Sequence, residues 1–236
     1  MTVGILEGAW PPFDIVQGDQ LAGVSGDLLR ALVGPNVVIE TKRFPDMTQL
    51  FAAACAGQVD LLMSVARTPE RERCLNFTVP YFHSFASAVV RRDDARYRNS
   101  ADLARARIAV ERGFARERLL REGFPRARIV SFASTHEALT AVLHGDADLY
   151  FGFTPVVHYE LATAAYRGLR VAFEQGGKAL DLRFAVSPRR PALRDQLNRA
   201  LASMNPAEAA AIRARWLSGH FDAAPAPDTP GFALTP

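Results

Sequence analysis

A duplicated unit constrains the fold of this chain more than any other feature. In the first half, Gly57-Gln58-Val59-Asp60-Leu61 follows a helical stretch and leads through an apolar run to Thr68-Pro69. In the second, Gly145-Asp146-Ala147-Asp148-Leu149 leads through Tyr150 and Phe151 to Thr154-Pro155. Each copy reads as helix, Gly-x-x-Asp-Leu, strand, then a helix start in which a threonine hydroxyl caps and a proline is preset for the first helical position. Apolar runs alternate with helical patterns elsewhere as well. Strands are expected at 2–6, 37–41, 60–64, 85–90, 108–110, 129–132, 148–151 and 182–186, with a hairpin of 13–16 and 21–24 about Gly18-Asp19. Helices are expected at 26–33, stopped by Gly34-Pro35, from Asp46 to Gly57, and from starts near Ala115, Ser134, Thr154, Pro191 and Pro206. Asp46 to Gln49 and Ser134 to Glu137 have the spacing of capping boxes.

This alternation requires mostly parallel sheets covered by helices, an α/β protein. Such sheets bind ligands beyond the carboxyl ends of their strands, where each copy places a helix N-terminus. Free amides and a partial positive charge make that end a natural seat for an anion. Two copies imply two lobes.

Composition narrows the function further. The 236 residues carry 28 basic and 25 acidic side chains, a net charge of +3, too even a balance for a nucleic-acid protein. From Arg91 to Arg128 twelve arginines are interleaved with six acids and few aromatics, the pattern of a solvated face. His83, His136, His144, His158 and His220 have no metal-ligand spacing, and no GxxxxGK[ST], HExxH or GxSxG occurs, so nucleotide hydrolysis, zinc peptidase and esterase chemistry have no support and no cofactor or metal is called for. No apolar run approaches the roughly 18 residues of a membrane span. Cys55 and Cys74 form neither a CxxC motif nor a zinc site; a single bridge in an exported protein and two separate buried thiols are both compatible with them.

The stretch from Asp60 to Tyr81, DLLMSVARTPERERCLNFTVPY, resembles the signature of family-3 periplasmic solute-binding proteins: a strand, a T-P-E-R helix start and an F-S/T-x-P-Y segment. GAWPPFD resembles the family's aromatic-x-P-F segment, GVSGDLLRAL its G-x-x-x-D helix, Ser134 to Leu149 its second-lobe S-x-x-E-A-L…G-x-x-D pattern, and AIRARWLSG its closing helix. The resemblance covers about residues 1–219, and 220–236 read as a linker or tail. It implies a two-lobed Venus flytrap, the type 2 periplasmic-binding fold, with mixed, mostly parallel sheets and a two-stranded hinge. Lobe 1 is then 1–88 plus 186–219 and lobe 2 is 89–185, with hinge strands near 87–90 and 185–187.

The resemblance also implies a binding site. Arg71 matches the arginine that clamps a ligand carboxylate, a fork suited to that anion. Trp10 matches the aromatic that stacks on the ligand, with Ser64, Arg67 and Thr68 at the strand end and helix start beneath it. Phe114 follows Gly113 where the family has a carboxylate-binding Gly-Thr pair, and Phe153, before Thr154, replaces the aspartate that holds a ligand ammonium. The loop from Asp60 to Arg71 is one residue shorter than in amino-acid transporters' binding proteins. That loop and the WPPFD opening are similar to the flytrap domains in front of BvgS-type sensor histidine kinases. The implied function is a periplasmic sensor domain without catalytic activity of its own, binding a small anionic carboxylate by lobe closure. Its partners would be neighbouring flytrap or membrane-linked kinase domains of the same chain, with a homodimer possible and no nucleic acid. An ABC-transporter solute-binding protein for amino acids or related carboxylates is the alternative. An exported cyclohexadienyl dehydratase, which shares the fold, would need a carboxylic acid of raised pKa; Glu7 is the only acid near the mouth of the first strand, and nothing marks it as buried. Glu7 or Asp14 could also stand in for the missing acid that would hold an ammonium.

Overall fold

The computed structural model describes residues 1–18 and 20–217. Among the described residues the chain divides into two compact units, 1–83 with 181–217, and Ser84–Leu180. The first contains β1 (Thr2–Leu6), a hairpin of β2 (Ile15–Gln17) and β3 (Gln20–Ala22), α1 (Gly23–Val33), β4 (Glu40–Phe44), α2 (Met47–Cys55), β5 (Leu61–Val65), α3 (Pro69–Glu72) and β6 (Asn76–Phe77). The chain leaves it along β7 (Phe82–Arg91). The second unit then builds β8 (Arg107–Glu111), α4 (Ala115–Gly123), β9 (Arg128–Phe132), α5 (Thr135–His144), β10 (Leu149–Phe153) and α6 (Thr154–Leu161). The chain returns along β11 (Leu169–Val186) to α7 (Pro191–Ser203) and α8 (Pro206–Leu217).

The two units repeat one plan. In the first, the strand order is β4-β1-β5-β11 with β6 also on β11; β1 is parallel to β4 and β5, and β11 is antiparallel to β5. In the second, the order is β7-β10-β8-β9; β8 is parallel to β9 and β10, and β7 is antiparallel to β10. Strands covered on both faces read as unbroken apolar runs, as Leu61-Leu62-Met63 does. Val3, Ile5, Leu61 and Met63 pack towards α1, α7 and α8, while Leu62 faces Leu50, Ala53 and Ala54 of α2. On that second face Gly4 leaves room for tight packing: a Cβ there would lie 2.8 Å from Leu62 Cδ2 and 2.9 Å from Leu50 Cδ1, so both leucine ends would have to shift.

The duplicated Gly-x-x-Asp-Leu has the same job twice. Asp60 donates its amide to Thr2 O (2.8 Å) and accepts the Thr2 amide on Oδ2 (3.0 Å), fixing the start of β1. Asp148 donates its amide to Arg107 O (2.9 Å) and accepts the Arg107 amide on Oδ2 (2.9 Å), fixing the start of β8. Burial opposes ionisation of Asp148, but hydrogen bonds from Arg107 and the charges of Arg107 and Arg96 outweigh it and hold the carboxyl at about 2. The family-like acid of α1 is also architectural. Asp27 is buried and accepts from Arg30 within its helix and from Arg215 Nη1 (2.8 Å) and Trp216 Nε1 (2.9 Å) of α8, which explains the closing ARW sequence.

Two strand expectations need correction, and the state of the cysteines, left open by the sequence, is a bridge. The strand expected at 37–41 lies at Glu40–Phe44, an edge strand in which Phe44 is the buried residue, while Val37 and Val38 are exposed. The strand expected at 182–186 is the end of a much longer β11. Cys55 and Cys74 form a disulfide joining the end of α2 to the residues after α3. The expected tail, 220–236, lies outside the described residues.

Candidate functional site

Residues of the first unit converge at the carboxyl ends of β1 and β5. The segment after β1 carries Trp10 and Phe13 and turns through a cis Pro11-Pro12 bond. It is clasped to α1: the Val24 and Ser25 amides donate to the carbonyls of Pro12 (2.8 Å) and Phe13 (3.1 Å), so backbone oxygens supply the helix cap that Ala22 does not. A side chain at Gly23 would collide with the Phe13 carbonyl at 2.2 Å, so this approach requires glycine. Trp10 is buried, 5.3 Å from Phe13 between ring centroids, and exchanges backbone hydrogen bonds with Asp14.

That clasp sets Ser25 and Asp14 beside Ser64 and Tyr81. Ser64 has φ 53, a left-handed conformation that costs a non-glycine residue about 1–2 kcal/mol. In this conformation its amide donates to Tyr81 Oη (2.9 Å) while its hydroxyl donates to Asp14 Oδ1 (2.5 Å). Ser25 Oγ lies 2.8 Å from both Ser64 Oγ and Tyr81 Oη. Burial pushes the Asp14 carboxyl up to about 7, against the lowering effect of the serine hydroxyls. Burial, and then the charge of Asp14, push the Tyr81 phenol up.

Further along β5, Thr68 caps α3, its Oγ1 accepting the Arg71 amide at 3.4 Å, with Pro69 in the first turn. Arg71 is half-buried. Its Nη1 donates to Ala66 O (2.8 Å) and its guanidinium lies 4.2 Å from the centre of the Phe51 ring, so the head group is orientated on an aromatic face. Arg67 is exposed and paired with Glu72 at 2.5 Å, a surface ion pair worth about 1 kcal/mol or less. The first unit therefore gathers Trp10, Ser64, Thr68 and Arg71 along one strand-end region and turns Arg67 to the surface.

In the second unit, Phe114 is the residue before α4 and supplies no side-chain cap; Glu117 instead accepts the Gly113 amide (2.7 Å). Phe153 is buried at the end of β10. Thr154 does not cap α6, contrary to the sequence reading. The helix begins at Thr154 itself, whose Oγ1 accepts from Ser87 of β7 (2.8 Å), so the two Thr-Pro copies diverge in use. Two features of this unit were not anticipated. Glu111, buried at the end of β8, accepts from Thr135 (2.7 Å) and Tyr150 (2.6 Å), and the Tyr150 ring occupies the space a side chain at Gly152 would need. Arg116 packs 5.6 Å from the Phe151 ring centre, and burial lowers its pKa, opposed by the nearby Tyr150 and Glu111. Both clusters were hidden because their members are scattered over four elements. Among the described residues no group of His, Cys, Asp and Glu is arranged to hold a metal ion.

Two α/β units connected by crossing strands, with aromatic and arginine side chains at strand ends, define the two-lobed class of periplasmic-binding, or Venus flytrap, proteins. The chain belongs to the bacterial extracellular solute-binding proteins, family 3, whose model matches residues 1–219. It is 28% identical over 222 residues to the virulence sensor protein BvgS of Bordetella pertussis, an alignment covering 92% of this chain and 17% of BvgS. The crystal structure of the B. pertussis BvgS periplasmic domain superposes with a TM-score of 0.82 at 25% identity, over 94% of this chain and 43% of that one. The chain is also 29% identical over 208 residues to ABC transporter arginine-binding protein 1 of Escherichia coli, covering 84% of this chain and 83% of the other. No described helix is long and apolar enough to cross a membrane.

Proposed function

We propose that the chain is an extracytoplasmic, periplasmic sensor domain of a two-component histidine kinase that closes around a small carboxylate. The observation that carries this reading is the Arg71 guanidinium held on Phe51 and Ala66 O at the end of β5, in a chain similar to the BvgS periplasmic domain along nearly its whole length. A planar fork fixed in this way is suited to bidentate recognition of a carboxylate. Phe153 stands where the family resemblance places the aspartate that holds a ligand ammonium, and its side chain supplies no acceptor for one. The Cys55–Cys74 bond supports an oxidising compartment. Neighbouring flytrap or kinase domains in a longer chain, and self-association, are the partners this reading entails.

The similarity to the arginine-binding protein over most of both chains favours a second reading, a solute-binding component of an ABC transporter. Both readings make the domain a binder, and both are tested by Arg71→Ala. Calorimetry against a panel of aliphatic and aromatic monocarboxylates is expected to show one that binds the native domain and loses about 30-fold or more in affinity, the value of a charged hydrogen bond in a desolvated site. Unchanged affinity in the variant sinks the assignment of Arg71. Binding restricted to arginine would favour the transport reading.

A further inference from the structure

The Asp14–Ser64–Ser25–Tyr81 cluster shares Ser64 with the candidate binding residues, and its oxygens form one hydrogen-bonded network. Ser64 donates its amide to Tyr81 Oη (2.9 Å) and its hydroxyl to Asp14 Oδ1 (2.5 Å). Ser25 Oγ lies 2.8 Å from both Ser64 Oγ and Tyr81 Oη, and Ser64 Oγ lies 3.2 Å from Tyr81 Oη, so the three hydroxyls share their protons in one network that the ionised carboxyl, acceptor only, terminates. At the other end, Tyr81 stacks on Phe184 of β11 at 4.5 Å and immediately precedes β7, the strand on which the chain leaves the first unit.

We propose that Asp14 is a proton-sensing position of this domain, whose ionisation state is transmitted through Ser64 and Ser25 to Tyr81 at the root of β7. A neutral carboxyl is the weaker acceptor and brings a proton that needs an acceptor among the same oxygens, so protonation rearranges the hydroxyl protons of the network. Burial places this change near neutral pH, at about 7. The groups facing Asp14 leave it in control. Ser25 from α1 and Ser64 from β5 are neutral, Trp10 and Phe13 are aromatic, and Tyr81 is the titratable neighbour, with its own ionisation pushed far up by burial. The charged residues on the same elements are committed elsewhere. Asp27 is paired with Arg30 and Arg215, Arg71 donates to Ala66 O, and His83 is exposed.

The inference does not depend on the identity of the ligand, and its test needs none. Carbon-13 NMR of the domain, labelled at aspartate carboxyl and tyrosine ring carbons, is followed from pH 5 to 9, with Asp14→Asn and Tyr81→Phe assigning the signals. The expected result is an Asp14 carboxyl midpoint near 7 and a Tyr81 ring shift with the same midpoint. Ser25→Ala removes the shorter hydroxyl route, leaving the 3.2 Å Ser64–Tyr81 contact, and should weaken the Tyr81 response while the Asp14 carboxyl still titrates. An Asp14 midpoint in the ordinary range near 4, or a Tyr81 signal indifferent to Asp14 titration, overturns the proposal. If Asp14→Asn does not fold, Tyr81→Phe still identifies the tyrosine signal, and Ser25→Ala still separates transmission from coincidence.

Discussion

Ser64 holds the polar cluster of the first unit together. Its left-handed backbone turns both its amide and its hydroxyl into one polar cluster, and glycine, free of that strain, could supply only the amide. Asp14, raised to about 7 from an ordinary 3.8, holds its proton more tightly folded than unfolded. Its stabilising contribution is therefore complete below about pH 4, falls as the pH rises from about 4 to 7, and is lost above that range. Asp148 has the opposite sign: depressed to about 2, it stabilises the fold above its ordinary 3.8 and loses that contribution as the pH falls towards 2. Between about pH 4 and 7 Asp148 is silent; Glu160, which burial also raises, adds a slope of the same sign, so the part that belongs to Asp14 is the part that Asp14→Asn removes. Urea denaturation at pH 5 and pH 7.5 should show this slope in the native protein and a shallower one in Asp14→Asn. An identical slope in the variant would contradict the assignment. Asp14 and Tyr81 were present in sequence segments singled out for family resemblance, but their contact depends on packing between distant elements, which spacing does not encode.

At the scale of elements, apolar periodicity located the strands covered on both faces, and capping chemistry located the helix starts. Asp46 accepts the Gln49 amide and Ser134 the Glu137 amide, as the box spacing predicts. The reciprocal halves differ: the Gln49 side chain bonds the Asp46 carboxylate, and Glu137 accepts from Ala133. Elements at an edge or on a ribbon were misplaced. Glu40–Phe44 needs burial at one residue only, and the first part of β11 carries Glu174, Gln175 and Gly176, which resemble a turn until a partner strand is supplied. The one cross-link among the described residues ties α2 to the segment after α3 across a sequence separation of 19. Cys74→Ser should therefore lower unfolding stability by about 3 kcal/mol through the entropy of the unfolded chain. Chemical denaturation of the oxidised native protein and the variant measures this directly. Equal midpoints would show that the bridge contributes nothing to this fold.

For the whole molecule, the family was legible because its most recognisable residues hold the fold together. Asp27 locks α1 to α8, Asp60 and Asp148 fix the starts of two strands, and Tyr81 anchors the polar cluster. Residues with architectural duties carry a family signature but say little about the ligand, so the fold was more legible than the site. A binder without turnover is expected to leave prephenate and arogenate unchanged. Aromatic product formed by the native domain and not by Asp14→Asn would instead make the raised carboxyl a general acid. The central claim, carboxylate binding through Arg71, is tested most directly by a thermal-shift screen of the native domain and Arg71→Ala against simple carboxylates and the twenty amino acids. A ligand at ~100 times its dissociation constant adds ~2.7 kcal/mol, which for a chain of this size raises the melting temperature by several degrees. Such a shift is expected with at least one simple carboxylate, together with its loss in Arg71→Ala; shifts produced by amino acids alone, by no carboxylate, or equally in the variant would contradict carboxylate binding through Arg71.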